Sequence, residues 1–137
     1  MAAMLLACSP GGVAAADTPQ PNLRHGINLT NWFTDFQRQP LTAKDFDQIK
    51  AAGFDHVRIP LNPESLGFSV SEASTGRVLF DFAGLDDAVD WARERNLSVI
   101  LDVQPSDSLA SEMEQDPRTE PAMIALWHHI AEHYKDI

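Results

Sequence analysis

Two short runs of mostly apolar, often β-branched residues, Phe54–Leu61 (FDHVRIPL) and Leu97–Val103 (LSVILDV), each follow a segment whose apolar residues recur at helical spacing. Two strands joined through a helix pair in parallel, by a right-handed crossover, and that restriction removes most alternative topologies. The pattern also begins earlier, with Leu23–Leu29 (LRHGINL) as a first short strand and 31–40 as a loop carrying Trp32, Phe33 and Phe36. Thr42 and Asp45 have capping-box spacing and predict a helix with Phe46, Ile49 and Ala52 or Gly53 on its buried stripe. Gly53 ends that helix, and Pro60 and Pro63 stop the strand that follows. A second helix, from about Gly84 to Arg95, sets Leu85, Ala88, Val89 and Ala92 on one face, and Asn96 caps it. A third begins near Pro121 and is predicted to bury Met123, Trp127, Ile130, Ala131 and Tyr134. The order β-α-β-α-β-α predicts an α/β fold, a parallel sheet with helices outside it and Leu97–Val103 covered on both faces.

Composition narrows the function. The chain has 137 residues and a net charge of −10, from 20 acidic and 10 basic side chains. It has no cluster of Lys or Arg, so it lacks the electrostatic footprint of phosphate binding, and nucleic acid is excluded as a partner. The single cysteine, Cys8, builds neither an intrachain disulfide nor a thiolate zinc site. No run of 18 apolar residues is present, so no transmembrane span is expected. Residues 1–16 are small, apolar and uncharged, and a polar linker, 17–22, follows them. That order reads as a signal peptide cleaved after Ala14-Ala15-Ala16, although no Lys or Arg precedes the apolar run and Ser9-Pro10-Gly11-Gly12 interrupts it. Leu5-Leu6-Ala7-Cys8 offers a rival reading as a lipobox, with a lipid anchor on Cys8. Both readings predict export, to the periplasm, the medium or the cell envelope, and both start the folded domain at residue 23.

In parallel α/β architectures chemistry gathers at the C-terminal ends of the strands. The candidates there are Asn28 and Asn31-Trp32 after the first strand, Arg58 and Asn62 at the second, and Asp102 and Gln104 at the third. Alternation puts Phe54, His56 and Arg58 on one face and Val57 and Ile59 on the other, while Ile100, Asp102 and Gln104 share a face of the third strand. A guanidinium at the end of an apolar strand needs acceptors, and an Arg58–Asp102 pair across neighbouring strands is the simplest way to supply them. His129 and His133 lie four apart around Glu132, but the order is not that of a zinc helix and the apolar stripe leaves them toward solvent, so no metal is expected. Trp91 and Trp127, at helical spacing, read as packing residues.

Taken in order, Arg24-His25-Gly26-Ile27-Asn28-Leu29, Gly53-Phe54-Asp55-His56-Val57-Arg58-Ile59-Pro60 and Val99-Ile100-Leu101-Asp102-Val103-Gln104-Pro105 resemble the opening of a glycoside hydrolase family 5 enzyme, the cellulase family. The resemblance covers about residues 23–137. It implies a (β/α)8 barrel, of which about the first three βα units are present, and hydrolysis of β-linked glucans, mannans or related polysaccharides with retention, by two glutamates and without a cofactor. It makes Arg58 the strand-two arginine that holds the nucleophilic carboxylate, with Asp102 and Gln104 as further active-site support and Asn28, Trp32 and Asn62 as substrate-binding candidates. Trp32 suits a sugar-stacking platform as well as loop packing, whereas Phe33 suits packing. Asp107, Glu112, Glu114 and Asp116 read as a polar loop that either lines a sugar cleft or is merely solvated.

Two departures from the family pattern matter. Gln104 stands where the family usually carries His, and an amide cannot titrate. The family's Asn-Glu acid/base motif and its nucleophile belong to strands four and seven, beyond Ile137, so the 137 residues are expected to be inactive alone. Size agrees, because a closed eight-unit barrel takes about 200–250 residues or more. The complete enzyme is expected to be a monomer. Two alternatives compete with this reading: a non-catalytic carbohydrate-binding or vestigial barrel fragment, and a small flavodoxin-like domain. The latter needs a glycine-rich phosphate loop or an acidic cluster at strand ends, and the sequence has neither. The choice of polysaccharide, its linkage and endo or exo attack are not encoded in these motifs.

Overall fold

A computed structural model describes residues 23–30, 41–73 and 80–137. The leader 1–16 with Cys8, the linker 17–22, and Asn31, Trp32, Phe33 and Phe36 lie outside the described residues. Three parallel strands, β1 (Gly26–Asn28), β2 (His56–Leu61) and β3 (Ser98–Val103), form one sheet in the order β1-β2-β3. Arg58 lies opposite Asn28 on one side and Ile100 on the other. The register therefore gives the sheet two unlike faces. Ile27, Val57, Ile59, Leu61, Val99 and Leu101 point one way; Gly26, Asn28, His56, Arg58, Ile100 and Asp102 point the other.

The apolar face carries the core. Val57, Ile59 and Leu61 have no exposed surface. Helix α1 (Ala43–Ala51) lays Phe46 and Ile49 against this core, and α3 (Ala83–Glu94) adds Leu85, Ala88, Val89 and Ala92, the four positions its periodicity predicts. Trp91 meets the Phe46 ring edge-on at 5.7 Å, so the two helices also pack on each other. At the start of α1 the Asp45 carboxylate accepts both the N–H and the hydroxyl of Thr42, each at 2.8 Å. Those bonds, the N–H first, hold the Asp45 carboxyl below the usual carboxylate range. The helix ends as predicted at Gly53, whose φ of 89° suits a residue without a side chain, but Ala52 and Gly53 are exposed and only Phe46 and Ile49 are buried. Asn96, at φ 51°, makes the equivalent left-handed exit after α3.

β1 is attached to β2 by side chains as well as by the ladder. The Asp55 carboxylate accepts the backbone N–H groups of Arg24 and His25, and it also meets His56 Nδ1 at 2.7 Å. Its pKa is lowered, first by the His56 bond and then by the two N–H groups. The His56 ring lies across Gly26, the residue opposite it in the ladder.

After β2 and β3 the structure departs from the sequence reading. β3 is half-buried along its whole length, not covered on both faces, because it forms an edge of the sheet among the described residues. A 3₁₀ turn (Pro63–Leu66) and a short helix α2 (Val70–Ala73) follow β2. The supposed acidic loop after β3 is helix α4 (Asp107–Gln115), capped by Ser106, whose hydroxyl accepts the Leu109 N–H. Helix α5 (Thr119–Tyr134) starts two residues before Pro121 and buries Thr119, Ala122, Leu126 and Ile130. Trp127 is 44% exposed and Ala131 is exposed, while Met123 and Tyr134 are half-buried. The stripe is rotated because α5 packs on α2 and α4, two elements that the apolar periodicity had not placed.

The turn between α4 and α5 is held by Asp116, which accepts the Arg118 backbone N–H at 2.9 Å and the guanidinium Nε at 3.0 Å. The guanidinium first, and then the N–H, lower the Asp116 pKa from 3.8 to about 2. A carboxylate with a depressed folded pKa stabilises the fold above its unfolded value and loses that contribution as pH falls from 3.8 through about 2. In an NMR titration Arg118→Ala is expected to return the Asp116 midpoint toward 3.8, and an unchanged midpoint would disprove the pairing.

Candidate functional site

The polar face of the sheet assembles the predicted residues at the C-terminal ends of its strands. Arg58 Nη1 donates to Asn28 Oδ1 at 2.8 Å, and Arg58 Nη2 forms an ion pair with Asp102 Oδ2. One guanidinium therefore spans all three strands, with Asn28 on β1 and Asp102 on β3 as its acceptors. Its planar fork suits this, because two of its nitrogens point to different partners without either bond bending. Asn28 Nδ2 donates in turn to Thr30 Oγ1 at 3.1 Å, which fixes the amide with its oxygen toward Arg58. The Arg58 and Asp102 side chains remain 36% and 32% exposed, so the pair is open to solvent from the sheet's polar side.

Gln104 is exposed just past the end of β3, where its backbone N–H donates to Leu61 O at 2.7 Å. That bond continues the ladder one step beyond the strand. Asn62 serves the local backbone, since its Oδ1 accepts the Glu64 N–H at 2.9 Å and caps the 3₁₀ turn. The sequence reading missed Glu64, whose carboxylate accepts the Ser106 hydroxyl and ties the loop after β2 to the loop after β3. The readable signal was Ser106 ahead of Leu109, an N-cap three residues before a buried apolar position.

The histidines of α5 sit away from this rim. His133 Nε2 meets Asp86 Oδ1 at 2.7 Å and its ring stacks on Phe82 at 4.4 Å, while His129 lies against Phe80. Tyr134 donates to the same Asp86 oxygen at 2.8 Å, and burial together with this carboxylate raises the phenol pKa. These contacts join α5 to α3 and to the segment before it; the histidines are packed as well as solvated.

Comparison with known proteins assigns the family. A model described as Cellulase (glycosyl hydrolase family 5) matches residues 14–137. The chain belongs to glycosyl hydrolase family 5. Endoglucanase C of Acetivibrio thermocellus is 27% identical over 127 residues, which cover 82% of this chain and 36% of that enzyme. A probable glucan 1,3-beta-glucosidase of Arthroderma benhamiae is 34% identical over 93 residues, 67% of this chain and 22% of that protein. Among solved structures, Thermotoga maritima Cel5A with cellobiose superposes with a TM-score of 0.69 at 26% identity, over 83% of this chain and 39% of that one. A tri-modular family 5 endo-beta-1,4-glucanase of Bacillus licheniformis with cellotetraose gives the same TM-score at 27% identity, over 85% and 24%. The chain thus spans roughly a third of the length of the first curated relatives it matches, 36% in the case of Endoglucanase C. Its three parallel strands and their helices correspond to part of the family 5 barrel, and in such a barrel the helix-free face of the sheet looks inward.

Proposed function

We propose that the chain is the N-terminal part of an exported, retaining β-glycanase that hydrolyses O-glycosidic bonds of a β-linked polysaccharide. The observation that carries this reading is Arg58, held between Asn28 and Asp102 at the C-terminal rim of three parallel strands in a family 5 chain. In the full-length protein a protonated Glu gives its proton to the leaving sugar oxygen while a second Glu attacks the anomeric carbon, and water then hydrolyses the glycosyl-enzyme. Retention needs those carboxyls about 5–5.5 Å apart. Arg58, itself fixed by two acceptors, places and orients the attacking carboxylate and keeps it ionised through a charge-assisted bond. No residue from 1 to 137 takes the part of either glutamate. A β-glucan is favoured over a mannan because the relatives are named as acting on glucans or were solved with cello-oligosaccharides. The leader composition supports export, since a polymeric substrate stays outside the cell.

The test is release of reducing ends by the full-length protein from β-1,4-glucan, β-1,3-glucan and β-mannan, with the anomeric configuration of the first product read by NMR. Turnover with retention is expected on at least one glucan; no turnover on any polymer overturns the hydrolase reading. Gln104, in place of the family's usual His, favours one second reading, a carbohydrate-binding or vestigial barrel. Retardation in a glucan gel without turnover would support it.

A further inference from the structure

Asp55 does for the N-terminal ends of the strands what Arg58 does for their C-terminal ends. Its backbone N–H donates to His25 O at 2.9 Å and its carbonyl accepts the Ser98 N–H at 2.9 Å, so it sits between the chain entering β1 and the first residue of β3. Its carboxylate accepts the N–H groups of both Arg24 and His25 at 3.1 Å, and its Oδ1 meets His56 Nδ1 at 2.7 Å. We propose that Asp55 is a positioning residue for the reaction, which fixes β1 along β2 and so sets where Asn28 stands and how Arg58 is oriented; the inference rests on the β-glycanase reading above.

The side chains of β1 anchor it weakly. The strand is three residues long; Gly26 has nothing to pack, Ile27 is half-buried and Asn28 is exposed, and the buried Leu29 comes only after it. A short strand of this kind specifies its register poorly, and a slip of one residue turns every side chain to the opposite face. Such a slip takes Asn28 Oδ1 away from Arg58 Nη1, which it meets at 2.8 Å in the observed register.

The Asp55 clamp opposes that slip, because its carboxylate is bonded to two consecutive N–H groups ahead of the strand and its own N–H to the carbonyl of the same His25. An extended chain carries the constraint forward: the three steps from His25 to Asn28 span about 10 Å at the rise of a strand. A carboxylate suits the task better than an amide, since both of its oxygens accept and its bonds are charge-assisted. Asp55 and His56, with side chains 16% and 15% exposed, are also more shielded from water than Arg58 and Asp102. The constraint passes along the main chain of β1, so Asp55 needs contact with neither substrate nor Arg58.

The test in the full-length protein is a double-mutant cycle in kcat on a β-glucan, with amide hydrogen exchange as a second reading. Asp55→Ala, with KM nearly unchanged, and Asn28→Ala are each expected to lower kcat about tenfold, less than removal of Arg58, because Asp102 still holds the guanidinium. The double variant is expected to lose about tenfold as well, since both changes break one chain of contacts. A loss of about 100-fold in the double variant would mean that the two residues act independently, and wild-type kcat in Asp55→Ala would mean that β1 is placed without the clamp; either overturns the proposal. Hydrogen exchange separates placement from general stability. The Leu29 N–H donates to Arg58 O at 2.9 Å and reports β1 on β2, while the Gln104 N–H donates to Leu61 O at 2.7 Å and reports β3 on β2. Asp55→Ala should speed exchange at Leu29 about tenfold more than at Gln104, whereas equal acceleration overturns the proposal. If Asp55→Ala does not fold, Asp55→Asn, which keeps the shape and removes the charge, takes its place in both measurements. A wild type that turns over no glucan removes the hydrolase reading, and the exchange ratio then decides by itself whether Asp55 places β1.

Discussion

Arg58→Ala in the full-length protein is expected to lower kcat on a β-glucan by about 100-fold, the cost of displacing a reacting group by about 1 Å. Arg58 is the joint of the rim, since its guanidinium contacts both Asn28 and Asp102. Without it the two acceptors lose the cation between them, and the nucleophilic carboxylate assigned to the same rim loses its orienting donor. The effect on folding is much smaller. Arg58 and Asp102 are 36% and 32% exposed, so water takes over part of what the guanidinium supplied, and such pairs contribute little net stability. The measurement is therefore kcat together with a urea unfolding midpoint. A large fall in kcat at a nearly constant midpoint is the predicted pattern. Arg58→Lys should recover little, because an ammonium has no planar fork to reach two acceptors on different strands. Gln104→His should change kcat less than Arg58→Ala, since it alters one exposed side chain and leaves the bridge intact. Near wild-type turnover in Arg58→Ala would show that the strand-two arginine has no part in the reaction.

The sequence was most legible where one signal was enough to determine the structure. α3 follows its periodicity residue by residue, because the four residues of its apolar stripe all enter the core. The Arg58–Asp102 pair was legible for a similar reason: a charged residue ending an apolar strand needs an acceptor, and alternation left few positions for one. Asn28 was placed at the right rim, but its bond to Arg58 depends on the β1–β2 register, and no local pattern encodes that register. Helix α5 was misread by one position because its partners were invisible. Val70–Ala73 is a single turn, and α4 is polar over most of its surface, burying only Leu109, so neither produces a strong apolar period. Ser106 was readable as an N-cap, but its tie to Glu64 was not, because the two are 42 residues apart and meet only when the loops after β2 and β3 come together.

Gly26→Ala is expected to destabilise the full-length protein by about 2–3 kcal/mol, the upper part of the range for overpacking a tight site. The glycine is required by proximity. A Cβ there would lie 2.0 Å from His56 Nε2 and 2.4 Å from Cε1, closer than any van der Waals contact. The ring cannot simply swing aside, because His56 Nδ1 is bonded to Asp55 Oδ1 at 2.7 Å. Nor can β1 withdraw at no cost, since the same Asp55 carboxylate binds the N–H groups of Arg24 and His25, the two residues that lead into Gly26. Either the His56–Asp55 bond breaks or the attachment of β1 to β2 does, and the loss of a charge-assisted bond adds to the steric term. A double-mutant cycle separates this account from a general glycine effect. If the clash with the ring is the cause, Gly26→Ala made on a His56→Ala background costs less than on the wild type, by about 1 kcal/mol or more. Additive effects would mean that the helix-free face of the sheet leaves room over Gly26. Position 26 adjoins Asn28 on the same face of β1, so a shift of this strand also moves the acceptor that Arg58 uses, and the variant should lose activity along with stability.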